Sequence, residues 1–400
     1  MNIKVFIKQN ISKIIKFFYK ITCKYINVDN KTILFVAYHG RGYLCNPKYI
    51  HKYMINDERF SDYKFVWALK DSKIKIDGAE VIKYGRIKYL YYLSKSKYWI
   101  VNCKLPKYVV KKKNQIYIQT WHGTPLKRLA HDINVRENAV FYRSCMNREQ
   151  MLETYDYDSR KYNYFISPNK FSTQKFISAF RISKDKIIET GYPRNDYLTN
   201  ITEEQINELK YKYNIPINKK IILYAPTWRD NSYNSKGYIF KLKTNFKLWK
   251  EHLGEEYVVI FKPHYLIVNN YTEYNLEGFL YNIKENEDIN DLYAISDILI
   301  TDYSSVFFDY AILKRPILFY MYDLEDYRDN LRGFYLDINK DLPGEIITNE
   351  IKLLEKIKSI IENGYNEGDL IKFNKKFNYL HNGKSARKIS DKIIWNEKEF

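Results

Sequence analysis

Four hundred residues exceed what one ordinary hydrophobic core supports, since single cores stop growing at roughly 250 to 300 residues, and this length points to two domains with a cleft between them. Apolar residues make up 45% and aromatics 17%, without a long Gly, Ser or Pro tract or a repeat of 20 to 50 residues, which excludes a disordered chain, a solenoid and a propeller. The formal charge of +19 attracts phosphates, anionic lipid or nucleic acid, although a chain crowded with Lys, Asn, Ile, Tyr and Phe also acquires such an excess through compositional bias alone.

Residues 1–28 hold six lysines and no acid. At 100° per residue Ile3, Phe6, Ile7, Ile11, Ile14, Phe17, Phe18 and Ile21 share one arc and Lys13, Lys16 and Lys20 oppose it, the pattern of a helix in a membrane interface or of one packed on its own domain. The lysines interrupt any signal-peptide core, and nowhere do 18 apolar residues run together to span a bilayer. Cys23, Cys45, Cys103 and Cys145 are widely spaced and form no CxxC or Cys/His pattern, which points to a reducing compartment and to no structural zinc.

From residue 32 the pattern is βαβ. The runs at 32–37, 63–69, 98–101, 115–120 and 139–142 read as buried strands separated by helical material. A second series follows at 221–225, 257–261, 279–283, 297–301 and 316–320. We therefore expect two tandem doubly wound α/β domains, at 31–205 and at 206–400 with C-terminal helices, behind a surface segment at 1–30. Ligands in such sheets sit beyond the carboxyl ends of the strands.

The loop after the first strand, HGRGYLCNPKYI at 39–50, brings Gly40 and Gly42 near the sheet edge without forming a dinucleotide fingerprint. At the end of the fourth run, QTWHGTPLK predicts a helix starting at Thr124 as N-cap and Pro125 as first residue, which stands His122 and Gly123 at a strand-to-helix turn. An imidazole there titrates near neutrality and can take a proton from an attacking hydroxyl. Arg194, in the turn of GYPRNDYL, can pair with a phosphate or serve as a surface turn residue. Thr227, Trp228 and Arg229 follow one strand of the second series, and Lys262, Pro263 and His264 another. In DILITDYSSVFFDYA a strand ends at Thr301, and Ser304 and Ser305 open a helix whose N-terminus suits a phosphate, with Asp309 one turn on. His39, His51, His131, His252 and His381 have no partner pattern.

The motifs WHGTPLK, GYPRNDYL, APTWRD, KPH and DILITDYSSVFFDYA, in this order over residues 32–340, resemble those of the CDP-glycerol glycerophosphotransferase family. The resemblance implies a GT-B fold with an acceptor domain first and a donor-nucleotide domain second. It implies an enzyme at the cytoplasmic face of the membrane that passes glycerol phosphate from CDP-glycerol to a lipid-linked or glycan acceptor and releases CMP. It assigns donor contacts to His122, Gly123, Thr124, Pro125, Leu126, Arg194, Thr227, Trp228, Lys262, Pro263, His264, Ser304, Ser305 and Asp309, and catalysis to His122 and His264. Arg229 and Thr301 join that set through their place beside it. Some 30 residues precede the first strand, as in the family's shorter members. No cofactor is required beyond the donor, and Mg²⁺ held by Asp302 and Asp309 through phosphate oxygens remains open. The alternatives are a GT-B transferase of ribitol phosphate or of a sugar, and a non-catalytic basic binder, against which stands the lack of any nucleic-acid-reading motif.

Overall fold

A computed structural model describes residues 3–133, 146–227, 233–234, 237–238, 243–263, 276–284, 286–324 and 333–398. The first lobe is a seven-stranded sheet of β1 (Asp29–Val36), β2 (Lys64–Leu69), β3 (Ala79–Lys83), β4 (Ser96–Val101), β5 (Ile116–Gln119), β6 (Tyr164–Ser167) and β7 (Ile187–Glu189), in the order β3-β2-β1-β4-β5-β6-β7. Every pairing is parallel. Hydrophobic clusters cover both faces, so the strands read as unbroken apolar runs, as a sheet covered on both sides requires. The second lobe begins at β8 (Lys220–Ala225) and includes a small antiparallel ribbon of β9 (Tyr233–Asn234) and β10 (Gly237–Tyr238). Its main sheet adds β11 (Tyr257–Phe261), β12 (Leu280–Asn282), β13 (Ile298–Thr301), β14 (Ile317–Tyr320) and β15 (Ile346–Ile347), in the order β12-β11-β8-β13-β14-β15, again all parallel. Both sheets reverse direction of growth beside their first strand, and the turns leaving β5 and β13 form the site.

The helices of the first lobe are α1 (Ile3–Thr22), α2 (Cys45–Met54), α3 (Ile87–Lys95), α4 (Arg148–Ser159), α5 (Lys170–Phe180) and α6 (Pro193–Asn200). Those of the second begin with α7 (Glu203–Lys212), α8 (Phe246–Leu253), α9 (Ile289–Ile295) and α10 (Val306–Tyr310). The expected strand at 139–142 and Cys145 lie outside the described residues. One assignment is corrected. The final helix, Ser385–Lys398, was expected with the second lobe, yet Ile389 and Ile393 pack in the core of the first among Ile33, Phe35 and Ile100. Its N-terminus is held by Asp196, which accepts from the backbone N–H groups of Ser385 (3.0 Å) and Ala386 (2.7 Å). Apolar periodicity marks a helix as amphipathic without saying which lobe covers it.

Two buried ion pairs join the lobes. Lys48 of α2 meets Asp288 at 2.5 Å, and Tyr49 donates to the same carboxylate at 3.0 Å. Burial alone would push the Asp288 carboxyl up, and Lys48 more than offsets it, holding it below the usual range. The second pair, Arg194 with Asp309 at 2.6 Å, lies under the turn at His122. Among the described cysteines Cys23, Cys45 and Cys103 are buried and in no disulfide.

His51 is fully buried against Phe35, Phe65 and Trp67, with Nδ1 2.9 Å from the Tyr43 hydroxyl and Nε2 without a partner among the described residues. Burial lowers its pKa to about 4. The unfolded chain binds that proton near pH 6.5 and the folded chain does not, so His51's contribution is present above pH 6.5 and is lost as pH falls toward 4. In urea titrations across that window His51→Phe is expected to reduce the slope of stability against pH by about 1.4 kcal/mol per unit.

Candidate active site

The His122 turn follows β5, where the chain would normally enter a crossover helix. None forms at Thr124 and Pro125, contrary to the sequence expectation. Residues 126–128 instead run as an extended segment against the second lobe: Arg128 N–H donates to Gly333 O (3.0 Å) and Tyr335 N–H to Leu126 O (2.8 Å). Pairing across the lobes satisfies the backbone groups a helix would have used, so Pro125 starts nothing. Leu126 is 3% exposed and packs in the core of the second lobe with Tyr303, Phe307 and Leu336. It anchors one lobe to the other, and burial removes it from the expected donor contacts.

Four consecutive carbonyls of this turn accept from buried side chains. Asn46 Nδ2 donates to Thr120 O and Trp121 O (both 3.1 Å), Arg194 to His122 O (2.8 Å), and the Tyr192 hydroxyl to Gly123 O (3.0 Å). Trp121 has φ 50°, in the left-handed region, and its ring stacks on His122 at 4.4 Å. Tyr38 (φ 45°), at the end of β1, sets its ring edge-on to His122 at 5.7 Å. A strained backbone persists only where its surroundings over-determine it, and here hydrogen bonds do so on both sides.

The imidazole is fixed at one nitrogen. His122 Nδ1 lies 2.7 Å from Asn102 O, and a carbonyl only accepts, so Nδ1 carries the proton and Nε2 keeps its lone pair. Asn102, immediately after β4, also accepts Tyr38 N–H through its side-chain oxygen at 2.8 Å. Burial lowers the His122 pKa to about 4; the Asn102 carbonyl opposes this and the positive charge of Arg194 adds to it. The residue as a whole is partly exposed. It is therefore neutral at pH 7 and presents an unprotonated Nε2.

Across the cleft, β13 ends at Thr301, whose hydroxyl donates to Ala225 O (2.8 Å) and so holds β8 and β13 together rather than facing a ligand. Asp302 accepts Thr227 N–H at 2.9 Å. Ser304 and Ser305 are partly exposed. The helix they open is shorter than expected, since α10 gives way after Tyr310 to a 3₁₀ turn, and Ser305 occupies the N-cap position without a side-chain capping bond. Its hydroxyl instead points at the His122 turn: a Cβ placed on Gly123 would lie 2.9 Å from Ser305 Oγ. The two turns thus touch, and a side chain at 123 would have to turn the Ser305 hydroxyl away.

Arg194 and Asp309 stand behind this contact. Arg194 is 6% exposed; its terminal nitrogens donate to Asp309, His122 O and Cys45 Sγ (3.2 Å), its Nε has no partner among the described residues, and Asp309 also accepts from Asn195 (2.8 Å). Both positions were expected to meet the donor, and both are used beneath the turn, where they hold it in place. Asp302 and Asp309 both accept from protein donors, and among the described residues no group of three or more His, Cys, Asp or Glu is arranged to hold a metal. Lys262 Nζ donates to Lys284 O, with Lys262 and Pro263 partly exposed after β11. Trp228, Arg229 and His264 lie outside the described residues. Sequence reasoning missed Asn46, Asn102 and Tyr192; their only signal was a polar side chain directly after a strand or beside Gly40 and Gly42.

A family model described as CDP-glycerol:poly(glycerophosphate) glycerophosphotransferase matches residues 17–395. The chain belongs to this family. It is 41% identical over 373 residues to the teichoic acid poly(glycerol phosphate) polymerase of Bacillus subtilis (strain 168), covering 92% of this chain and 49% of that one. It is 38% identical over 399 residues to the teichoic acid glycerol-phosphate transferase of Staphylococcus aureus (strain NCTC 8325 / PS 47), covering 97% of this chain and all of that one. The chain thus spans about half the length of the first relative and the whole of the second. The solved structure of the wall teichoic acid polymerase TagF superposes with a TM-score of 0.87 at 38% identity, covering 96% of this chain and 93% of that chain. The GT-B-like arrangement of this glycerophosphotransferase-family chain agrees with that likeness.

The Gly123 contact gives a direct test. Gly123→Ala is expected to displace Ser305 and lower kcat at least tenfold with little loss of stability. Gly123→Ala/Ser305→Ala removes the clash together with the Ser305 hydroxyl, so kcat should stay low, and wild-type kcat in either variant would contradict a role for this contact.

Proposed function

We propose that this protein transfers glycerol phosphate from CDP-glycerol to an acceptor hydroxyl in the synthesis of teichoic acid or a related phosphopolyol polymer, with His122 as general base. The observation that carries this reading is the His122 ring itself: Nδ1 is committed to Asn102 O, which leaves Nε2 its lone pair, and the neighbouring Gly123 touches Ser305 of the other lobe. The acceptor O–H gives its proton to Nε2 while its oxygen attacks the β-phosphorus. The bond from that phosphorus to the oxygen bridging the two phosphates breaks, and CMP leaves with the electron pair. Phosphoryl transfer needs positioning and electrostatics more than covalent help. Lys262, the hydroxyls of Ser304 and Ser305, and His264, Trp228 and Arg229 from outside the described residues would meet the donor. No cofactor enters this scheme beyond the donor.

His122→Ala is expected to lower kcat by about 10² to 10⁴-fold, the usual worth of general-base help, and to leave CDP-glycerol affinity by calorimetry unchanged. CMP release at the wild-type rate would remove His122 from the reaction.

The membrane part of the reading rests on α1. Tyr19 (4% exposed) and Cys23 (1%), four residues apart, face the first lobe, while Ile14, Phe17, Phe18 and Ile21 are 54%, 61%, 58% and 43% exposed on the other side. Among the described residues no helix is long and apolar enough to cross a membrane. Such a stripe suits the interface of a lipid surface, here the cytoplasmic face of the cell membrane where the lipid-linked acceptor would be presented. Phe17→Ser/Phe18→Ser should abolish co-sedimentation with phosphatidylcholine vesicles and spare turnover on a water-soluble acceptor; full vesicle binding by that variant would refute the role of α1.

A further inference from the structure

A basin of about 710 Å³ opens at the amino-terminal ends of β5, β6 and β7, the sheet edge opposite the catalytic turn. Lys111, Lys112 and Lys113 precede β5, Arg160 and Lys161 end α4, and Lys186 and Lys392 complete a cationic lining, against which Asp185 is the one carboxylate among the described lining residues. Only Lys161 makes an ion pair among the described residues, a long one of 3.8 Å to Asp158. Burial, then repulsion from Lys186 and Lys97, holds Lys111 below its ordinary value. Crowded cations of this kind are relieved by an anion. The contrast is a second basin, of about 410 Å³, where Arg148, Arg160 and Arg181 are balanced by Glu149, Glu153 and Asp156.

The lining is also the seat of α1. Lys112 Nζ donates to Ile26 O just past the helix, and the Tyr19 hydroxyl donates to Val110 O at 3.4 Å. The segment that brings three lysines to the basin therefore fixes the root of the helix whose apolar side is uncovered. A strand of four residues is about 13 Å long, so an anion in the basin is remote from the reacting atoms.

We propose that this basin binds the phosphodiester headgroup of an anionic phospholipid in the same surface on which α1 lies, an inference that rests on the reading of α1 given above. A soluble polyphosphodiester chain shares the chemistry, but its growing end must reach His122, at the other edge of the sheet, whereas a headgroup need only lie beside α1.

The test compares the full chain with Lys113→Gln/Lys186→Gln/Lys392→Gln, which leaves α1 and the catalytic turn untouched. Both are sedimented with vesicles of phosphatidylcholine alone and with phosphatidylglycerol added. The expected result is equal binding to neutral vesicles and a loss of anionic preference on the order of a hundredfold, since each lysine near an anionic surface contributes about fivefold. Undiminished anionic preference overturns the proposal. So does a variant that keeps this preference while losing affinity for soluble poly(glycerol phosphate), which would make the basin a polymer site. If the wild type sediments with anionic vesicles only and the triple variant with neither, the α1 reading fails and the basin stands; a wild type that sediments with neither vesicle overturns both.

Discussion

The Arg194–Asp309 pair is the constraint on which the site depends. It crosses from one sheet to the other with both side chains almost fully buried, and the same guanidinium holds the His122 carbonyl. Two opposite charges removed from water repay their desolvation only with good geometry and further hydrogen bonds, and this pair has them through Asn195, His122 and Cys45. Asn290 adds a bond from the second lobe to Arg194 O at 2.6 Å. Removing either charge would leave the other stranded between the lobes. The ion pair thus couples the relation of the two sheets to the position of one imidazole.

Around that pair the site is built from backbone held by side chains. The His122 turn accepts donors at four successive carbonyls, which leaves its direction no freedom, and Asn102 ties the end of β1 to the His122 ring. The left-handed conformations of Tyr38 and Trp121 are the cost of aiming two aromatic rings at the imidazole. The result is a neutral histidine of known tautomer whose remaining nitrogen is available for a proton, the state a base needs before substrate arrives.

Much of the fold was legible because parallel strands buried on both faces read as apolar runs, and all four described runs of the first lobe and all five of the second fall on strands. β3, β6, β7 and β15 escaped because they are short or mixed in polarity, as in YFIS and IIE. At the site, residue types showed where chemistry gathers but not which way each side chain turns. Arg194 and Asp309 have the chemistry of ligand contacts and serve as a buried clamp; Leu126 stands in a polar motif and fills the opposite core; Thr124 and Pro125 have helix-start chemistry overridden by pairing with residues 333–335. Each of these outcomes is decided by the other lobe, which local sequence does not contain.

The account is tested most directly by a double-mutant cycle with Arg194→Met, Asp309→Leu and the pair together, reading both thermal stability and kcat/KM for CMP release. Each single change should cost about 3 to 5 kcal/mol of stability by leaving a buried charge unpaired, and the double variant should recover most of that while remaining slow, because His122 O has lost its donor. Additive losses of stability, or a double variant with wild-type kcat/KM, would contradict the claim that this one ion pair both joins the lobes and positions the proposed base, His122.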